Sequence, residues 1–414
     1  MGDIYFSAEV TLIAAAGENS AYGLPGVASD RVSCGHDVTI GRLRFSNDYD
    51  SFDSVDREIL HSVWFSRAWT FQEGYISKRR LYFTDTRLLY ICDKEVYCDA
   101  EMGSKSLRHD FQGLLVESLP GPFHEDSLAR DILSEYTRRN LTFDSDALNG
   151  IVGVLNTLSK AERPIFHTWG VTFGDLPFAL APPPLAITLT WSHRTPCLRR
   201  KAFPSWSPLG WQGVAGFELR PPVISRSFRV KVWEQSKYIE LSQVKQSLHQ
   251  QIGAESVEKS RYLKITAKLS WVDVRYFSAN KLLSIDKSRV GIGAGFHVRV
   301  STGDDGEVYS SVLPCWDSEP VHSLDSIRVP CALIPAGDGS LSMAVMMLRN
   351  HGTHYERIGY FDCLRTYAGR FNFLFKDDNG VLTVEKLLGD LRSYSDEEVA
   401  RDFNNPEMQT FLLS

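Results

Sequence analysis

Apolar positions between about Val55 and Ile76 recur at helical spacing. Leu60, Trp64, Ala68 and Phe71 fall at i, i+4, i+8 and i+11, a single stripe. At 3.6 residues per turn, Glu73 points about half a turn away from it. Trp69 sits one turn before Glu73 on the same line, with Ser66 close by. The pattern predicts one helix over about 55–76, its front buried and its back placing a carboxylate beside an indole. On spacing alone the plainer alternative stands beside this: Trp69 packs on a neighbour and Glu73 is a solvated charge.

Met1, Ile4, Tyr5 and Ala8 make a clean helix face, yet nothing before them caps a helix. The chain is expected to open inside an element. Residues 9–16 then run almost wholly apolar, which predicts a strand buried on both faces, as in a parallel sheet. Such a sheet needs crossover-linked neighbours, and only one crossover follows. The expectation is a sheet whose leading strands are missing. Residues 17–26 read as a loop, and Asp37 to Phe45 alternates weakly. Arg80–Thr84 and Arg87–Cys92, separated by Asp85-Thr86, predict a hairpin that Glu95–Cys98 extends.

A polar stretch at 101–125, containing Pro120-Gly121-Pro122, is the expected linker. The segment 126–215 follows, helical at first and then rich in Trp and Pro. Its first helix, near 126–138, would bury Leu128, Ile132, Leu133 and Tyr136. The second, near 145–160, would bury Leu148, Ile151, Val152 and Leu155 behind an Asp144 or Ser145 cap. Trp169, Trp191, Trp206 and Trp211 are dense enough to glue irregular chain together. Residues 216–395 predict a β-rich domain, with alternation at 228–233, 262–267 and 296–300. Further strands are expected at 329–334, 342–348, 355–361 and 371–375, in an antiparallel sandwich or barrel. The glycines of Gly291–Gly295 open no helix, so a phosphate loop is not expected. A short helix and tail are expected at 396–414.

Composition narrows the function classes. The 414 residues carry a net charge of −6, which gives no electrostatic case for nucleic acid. No apolar run is long enough to span a bilayer, and no signal peptide is visible. The seven cysteines have irregular spacing; reduced thiols are expected and a metal site is not.

Trp64, Arg67-Ala68-Trp69-Thr70-Phe71-Gln72-Glu73, Ser77, Arg79-Arg80 and Leu81–Thr84 resemble the signature of the fungal heterokaryon-incompatibility (HET) domain. Upstream, Ile4-Tyr5, Ala8 and Gly23-Leu24-Pro25-Gly26 also fit. Downstream, Tyr136–Thr142, Ser145–Leu148, Phe203–Ser207 with Gly210-Trp211, and Glu356–Gly359 resemble segments that commonly follow the domain. The family's opening Tyr-x-Trp-Gly and Trp-Ile-Asp blocks are not in this sequence. The resemblance therefore implies, over residues 1–100, the C-terminal half of a HET domain. The fold class expected is a partial α/β, parallel-sheet domain similar to Toll/interleukin-1 receptor (TIR) domains. A helical segment and a β-rich domain follow, α+β overall.

The same resemblance implies a cytoplasmic protein of fungal non-self recognition and programmed cell death. It would act through protein partners or self-association, without nucleic acid, membrane or cofactor. Some TIR domains cleave NAD with a Glu four residues after a Trp, the spacing of Trp69 and Glu73. That makes Glu73 the candidate catalytic carboxylate and NAD the candidate substrate. Trp64, Arg67, Trp69 and Gln72 are the candidate pocket residues. The third alternative is a degenerate remnant with neither activity.

Overall fold

A computed structural model describes residues 2–32 except 28, 38–45, 52–92, 95–99, 104–106, 132–161, 164–174, 189–193, 197–217, 228–248 except 245, 254–277, 295–300, 308–312, 327–335, 342–364, 375–376, 382–383 and 406–414. The chain divides into two compact units, Met1–Pro164 and Ile165–Ser414. This boundary cuts through the expected 126–215 segment. Its helices pack within the first unit, and its Trp-rich stretch belongs to the second. The Pro120–Pro122 linker, residues 291–294 of the glycine-rich stretch and Leu128 lie outside the described residues.

The first unit runs α1 (Gly2–Ser7), β1 (Thr11–Ala14), α2 (Phe52–His61), α3 (Val63–Ser66), α4 (Thr70–Ile76), β2 (Arg79–Phe83), β3 (Leu88–Cys92), β4 (Glu95–Cys98), β5 (Ser104–Ser106), α5 (132–137) and α6 (Asn149–Leu158). A small hairpin, Val38–Ile40 with Leu43–Phe45, turns on Gly41 at φ +65. The sheet order is β1-β2-β3-β4-β5. β1 pairs in parallel with β2, from Thr11 opposite Arg80 to Ala14 opposite Phe83. Every later pair is antiparallel. The sheet is thus mixed: the expected parallel pairing is met by β1 with β2, and the expected hairpin turns the sheet antiparallel from there. The physical reason is loop length: Asp85-Thr86 can close a hairpin but not a crossover. β5 also takes three residues of the expected linker.

β1 differs from its expected double burial. Ile13 is buried, while Leu12 is 57 % exposed, because successive side chains of a strand point to opposite faces and the Leu12 face of β1 is left uncovered among the described residues. The core beneath is Ile13, Ile59, Tyr82, Leu89, Ile91 and Val96, with Trp64 and Phe65 packed on it. Alternating burial along β3 and β4 puts Leu89, Ile91, Val96 and Cys98 on that face. On α5, Ile132, Leu133 and Tyr136 are buried as the periodicity predicts. α6 begins later than expected, after a tight turn at Asp144–Asp146, and its N-cap Leu148 gives no side-chain bond. Ile151 and Leu155 are buried; Leu148 and Val152 are only half-buried.

The second unit opens with a hairpin, β6 (Ile165–Thr168) and β7 (Val171–Gly174). Its turn residues Trp169 and Gly170 both have positive φ, +50 and +84, as a two-residue hairpin loop of matching twist requires. β8 (Trp191–His193) pairs with β11 (Ala215–Phe217), and β9 (Leu198–Arg199) with β10 (Trp211–Gln212). Then come β12 (Arg229–Glu234), β13 (Lys237–Glu240), α7 (Ala254–Ser260), β14 (Leu263–Phe277), β15 (Gly295–Val300), β16 (Val308–Val312), β17 (Ile327–Pro335), β18 (Ser342–Asn350), β19 (Tyr355–Leu364) and β20 (Glu407–Leu413).

β14 organises this unit. One edge holds β20 and then β15; the other holds β12 and then β17. From β17 the ladder passes to β18, to β19, and through Tyr355 opposite Leu413 to β20, which returns to β14. The ring therefore closes, which removes the free edges of its strands. Closure depends on β20, where the sequence predicts a helix and tail. Only Phe411 and Leu413 of that strand are buried, too short a pattern to announce a strand.

Tryptophans staple the irregular chain to this barrel. The Trp191, Trp206 and Trp211 indoles donate to Trp206 O, Arg261 O and Ser205 O at 3.0, 3.0 and 2.9 Å. Arg357, fully buried, stacks its guanidinium 3.6 Å from the Trp191 ring centroid and donates to Leu189 O and Trp191 O. Glu356 holds Arg199 at 3.3 Å. The segments around Phe203–Trp211 and Glu356-Arg357 are thus two halves of one clamp.

Candidate functional site

The candidate site begins with a break in the expected central helix. Ser62 separates α2 from α3, and its hydroxyl accepts from Phe65 N to cap α3. Arg67 is extended, at φ −87 and ψ 134. The backbone of Ser66–Ala68 leaves the helix to bond Asn140: Ala68 N donates to Asn140 O at 2.9 Å and Asn140 N to Ser66 O at 2.6 Å. Thr70 Oγ1 lies 2.5 Å from Trp64 O and 2.7 Å from Arg67 O; Trp64 O also takes Arg67 N at 3.3 Å, in place of the Ala68 N that a continuous helix would give it. The continuous 55–76 helix is therefore corrected to three pieces.

The break resets the rotation between the signature residues. Trp64, expected on the buried stripe, turns its indole to Glu73 and donates to Oε2 at 2.9 Å. Trp69, expected beside Glu73, instead donates to Asp146 at 3.3 Å. The remaining side of Trp64 packs edge-on against Tyr82, at 5.6 Å between centroids. Gln72 is fully buried and clamps α6: Nε2 donates to Asn149 O at 2.9 Å, and Oε1 accepts from Gly153 N at 3.1 Å. Arg67 is exposed, and among the described residues it makes no ion pair. Glu73 is half-buried.

Two residues complete the site that the spacing argument did not place there. Tyr5, on α1, lies near Glu73; burial first, and that carboxylate second, push the phenol up to about 12. Arg139 lies over Phe65, Phe71 and Trp64, its guanidinium 4.1, 4.9 and 6.0 Å from their centroids. Its Nη1 donates to Thr70 Oγ1 at 3.2 Å and Arg67 O at 3.4 Å, tying it to the same break. Burial lowers the guanidinium to about 10, against the opposing pull of Glu135, Tyr82, Tyr136 and Glu73. It stays cationic at neutral pH. The signal for Arg139 was present in the Tyr136–Thr142 segment, but nothing local says where its side chain goes.

The first unit thus joins Tyr5, Trp64, Arg139 and Glu73, while Trp69, Arg67 and Gln72 each serve elsewhere. Residues 1–73 match the family model described as heterokaryon incompatibility protein (HET). Comparison with curated proteins and with solved structures returns no match. The HET match runs from α1 to Glu73, so it contains Tyr5, Trp64 and the carboxylate they converge on. Arg139 lies beyond it. Among the described residues no group of three His, Cys, Asp or Glu side chains is placed to hold a metal, and no helix is long and apolar enough to cross a membrane.

Chemically, the Glu73 carboxylate is an acceptor already engaged by an indole N–H and faced by a phenol. Such a group ties α4, which carries it, to α3, which supplies the indole donor. It also retains partial access to solvent, which leaves a carboxyl oxygen open to a cationic centre.

Proposed function

We propose that this chain is a heterokaryon-incompatibility-type protein of fungal non-self recognition, acting in the cytoplasm as a signalling and interaction module that leads to cell death. The single observation that supports a module over an enzyme is the apolar surface of α1 and β1 within the matched segment. Ile4, Phe6, Val10 and Leu12 are all exposed there, beside the outer edge of β1. Large side chains clustered in this way cost solubility unless a surface uses them. The partner we favour is a second copy of the chain. The test is expression of wild type and of an Ile4→Asp, Leu12→Asp double variant in fungal cells, followed by counts of survivors and by cross-linking. Loss of killing and of cross-linked dimer in the variant is expected. Equal killing by both proteins overturns this use of the surface.

A second reading, a TIR-type NAD glycohydrolase, draws support from the half-exposed Glu73 carboxylate, held by the Trp64 indole with the Tyr5 phenol nearby. Cleavage of the nicotinamide ribosyl bond builds positive charge on the sugar, which a carboxylate stabilises. Nicotinamide release from NAD by purified wild type, abolished in Glu73→Gln, supports it. No release above buffer background removes it. A remnant with neither activity would leave both assays blank.

A further inference from the structure

We propose that Arg67 is a hinge with two settings, and that the segment around Asn140 holds it in the one the structure shows. The hinge requires neither functional reading of Glu73. Leu60, Trp64, Ala68 and Phe71 keep an unbroken helical period through the interruption, so the local pattern does not call for it. The interruption is narrow: Arg67 is extended at ψ 134, while Trp69 is already α-helical at φ −64 and ψ −34. Its ties come from far along the chain. Ala68 N donates to Asn140 O at 2.9 Å, Asn140 N to Ser66 O at 2.6 Å, and Arg139 Nη1 to Arg67 O at 3.4 Å. The Arg67 side chain is exposed, so turning the residue displaces nothing buried of its own.

Released from Asn140, α3 and α4 can join into one helix. Ala68 N then returns to Trp64 O, its partner in a continuous helix. The moving piece is α3, which is four residues long, buries none of its side chains and has a second joint at Ser62. α4 stays, because Thr70, Phe71, Gln72, Tyr75 and Ile76 are buried and Gln72 is bonded to Asn149 O and Gly153 N. Joining exchanges the indole beside Glu73. Trp64 lies about two and a half turns before Glu73 in a joined helix, so it moves to the opposite side and their bond breaks. Trp69, one turn before Glu73, leaves Asp146 and comes beside the carboxylate. The packing of Trp64 on Tyr82 favours the docked setting, which makes the joined one the minor state. Docking at Asn140 thus selects which tryptophan Glu73 meets.

The test is amide-resolved hydrogen exchange on the full chain across a urea series below the unfolding transition. In the joined setting the Asn140 amide loses Ser66 O, whereas the Ala68 amide only changes acceptor. The Asn140 amide is expected to exchange at least about tenfold faster than that of Gly153, with little urea dependence, because opening exposes little surface. The Ala68 amide is expected to stay at the slow rate of Gly153, whose N–H donates to Gln72 Oε1. Arg67 and Asn140 are partners in an isolated bridge, so an Arg67→Cys, Asn140→Cys double variant locks the docked setting when oxidised. Oxidation should slow the amide of residue 140 to the Gly153 rate, and reduction should restore the wild-type contrast. Equally fast exchange at Ala68 and Asn140 overturns the proposal, since it means that the bridge only frays. So does an Asn140 amide that exchanges only with global unfolding, or one that stays fast under the disulfide.

Discussion

Trp64 Nε1 and Glu73 Oε2 meet at 2.9 Å although a helical wheel places their residues on opposite sides. The break at Arg67 makes this possible. The bond spans the interruption and joins α3 to α4 where no backbone hydrogen bond of a continuous helix does. Trp64→Phe keeps the ring against Tyr82 and removes only the N–H. The expected loss is about 1.5–3 kcal/mol in urea unfolding, the range for a hydrogen bond to a charged group. An unchanged midpoint would show that the bond does not support the break.

Arg139 supports the same break from the far side. Three aromatic faces and two acceptors at Arg67 and Thr70 hold its guanidinium. Arg139→Met replaces the stem but not the fork, and the expected cost is about 2–4 kcal/mol, from lost cation–π contacts and two hydrogen bonds. Arg139→Lys recovers little of it, since an ammonium cannot lie flat on Phe65 while donating to both acceptors. A lysine variant as stable as wild type would reduce the site to simple charge.

These two residues show where sequence reasoning succeeded and where it stopped. The hairpin at Asp85-Thr86 was legible because its turn and its alternation are local. So were the buried faces of Ile132, Leu133 and Tyr136. The helix break was not legible, because Leu60, Trp64, Ala68 and Phe71 keep the helical period straight through it. Its cause is Asn140, which captures the backbone at Ser66–Ala68 from far along the chain. Trp69 was therefore set beside Glu73 by a rotation that the structure does not make. β20 was missed for a similar reason: its strand character comes from pairing with β14, and its outward residues carry no apolar alternation. The Trp-rich segment was legible as glue, but not the buried Arg357 that it surrounds.

Gly153 is the residue of α6 that tolerates least. A Cβ there would lie 2.1 Å from Gln72 Oε1 and 3.2 Å from Gly2 Cα. Gly153→Ala must displace a buried amide that makes two hydrogen bonds, and a loss of about 2–4 kcal/mol is expected. Gly41→Ala is the contrast: its φ is +65 and nothing lies within 4 Å, so only backbone strain of about 1–2 kcal/mol applies. Differential scanning of the two variants should rank Gly153→Ala below Gly41→Ala. The reverse order would show that α4 and α6 can move apart at little cost.

Arg357 is buried on Trp191 in the second unit, with its Nη atoms on Leu189 O and Trp191 O. Truncation to Ala leaves those carbonyls without donors and opens space beneath an indole. About 3–5 kcal/mol is expected, the range for breaking a buried charged network. The neighbouring Glu356, whose side chain is only 14 % exposed, pairs with Arg199 at 7 % exposure and with the more open Arg349 and His351, so Glu356→Gln, which keeps an acceptor, should cost about 1–3 kcal/mol. A loss at Glu356 larger than that at Arg357 would show that the ion pair, and not the stacked guanidinium, holds the clamp.

His193 gives the second unit a pH dependence with a definite sign. Its ring is buried between Trp191 and Trp211, and Nδ1 lies 2.8 Å from Val214 O, which fixes it as the donor. Nε2 is buried without a partner, and the cations Arg357 and Arg200 face the same ring. Burial first, then those cations, hold the folded-state pKa at about 4, against the usual 6.5, with the Val214 bond opposing. The unfolded chain therefore binds a proton that the folded chain refuses. The stability tied to neutral His193 is complete above about pH 6.5 and declines as pH falls toward 4, by up to about 3 kcal/mol. Urea unfolding of wild type and His193→Phe at pH 7.0 and 4.5 isolates this difference. The gap between the two proteins should shift in favour of the phenylalanine variant at the lower pH. A constant gap would mean that His193 takes its proton while folded.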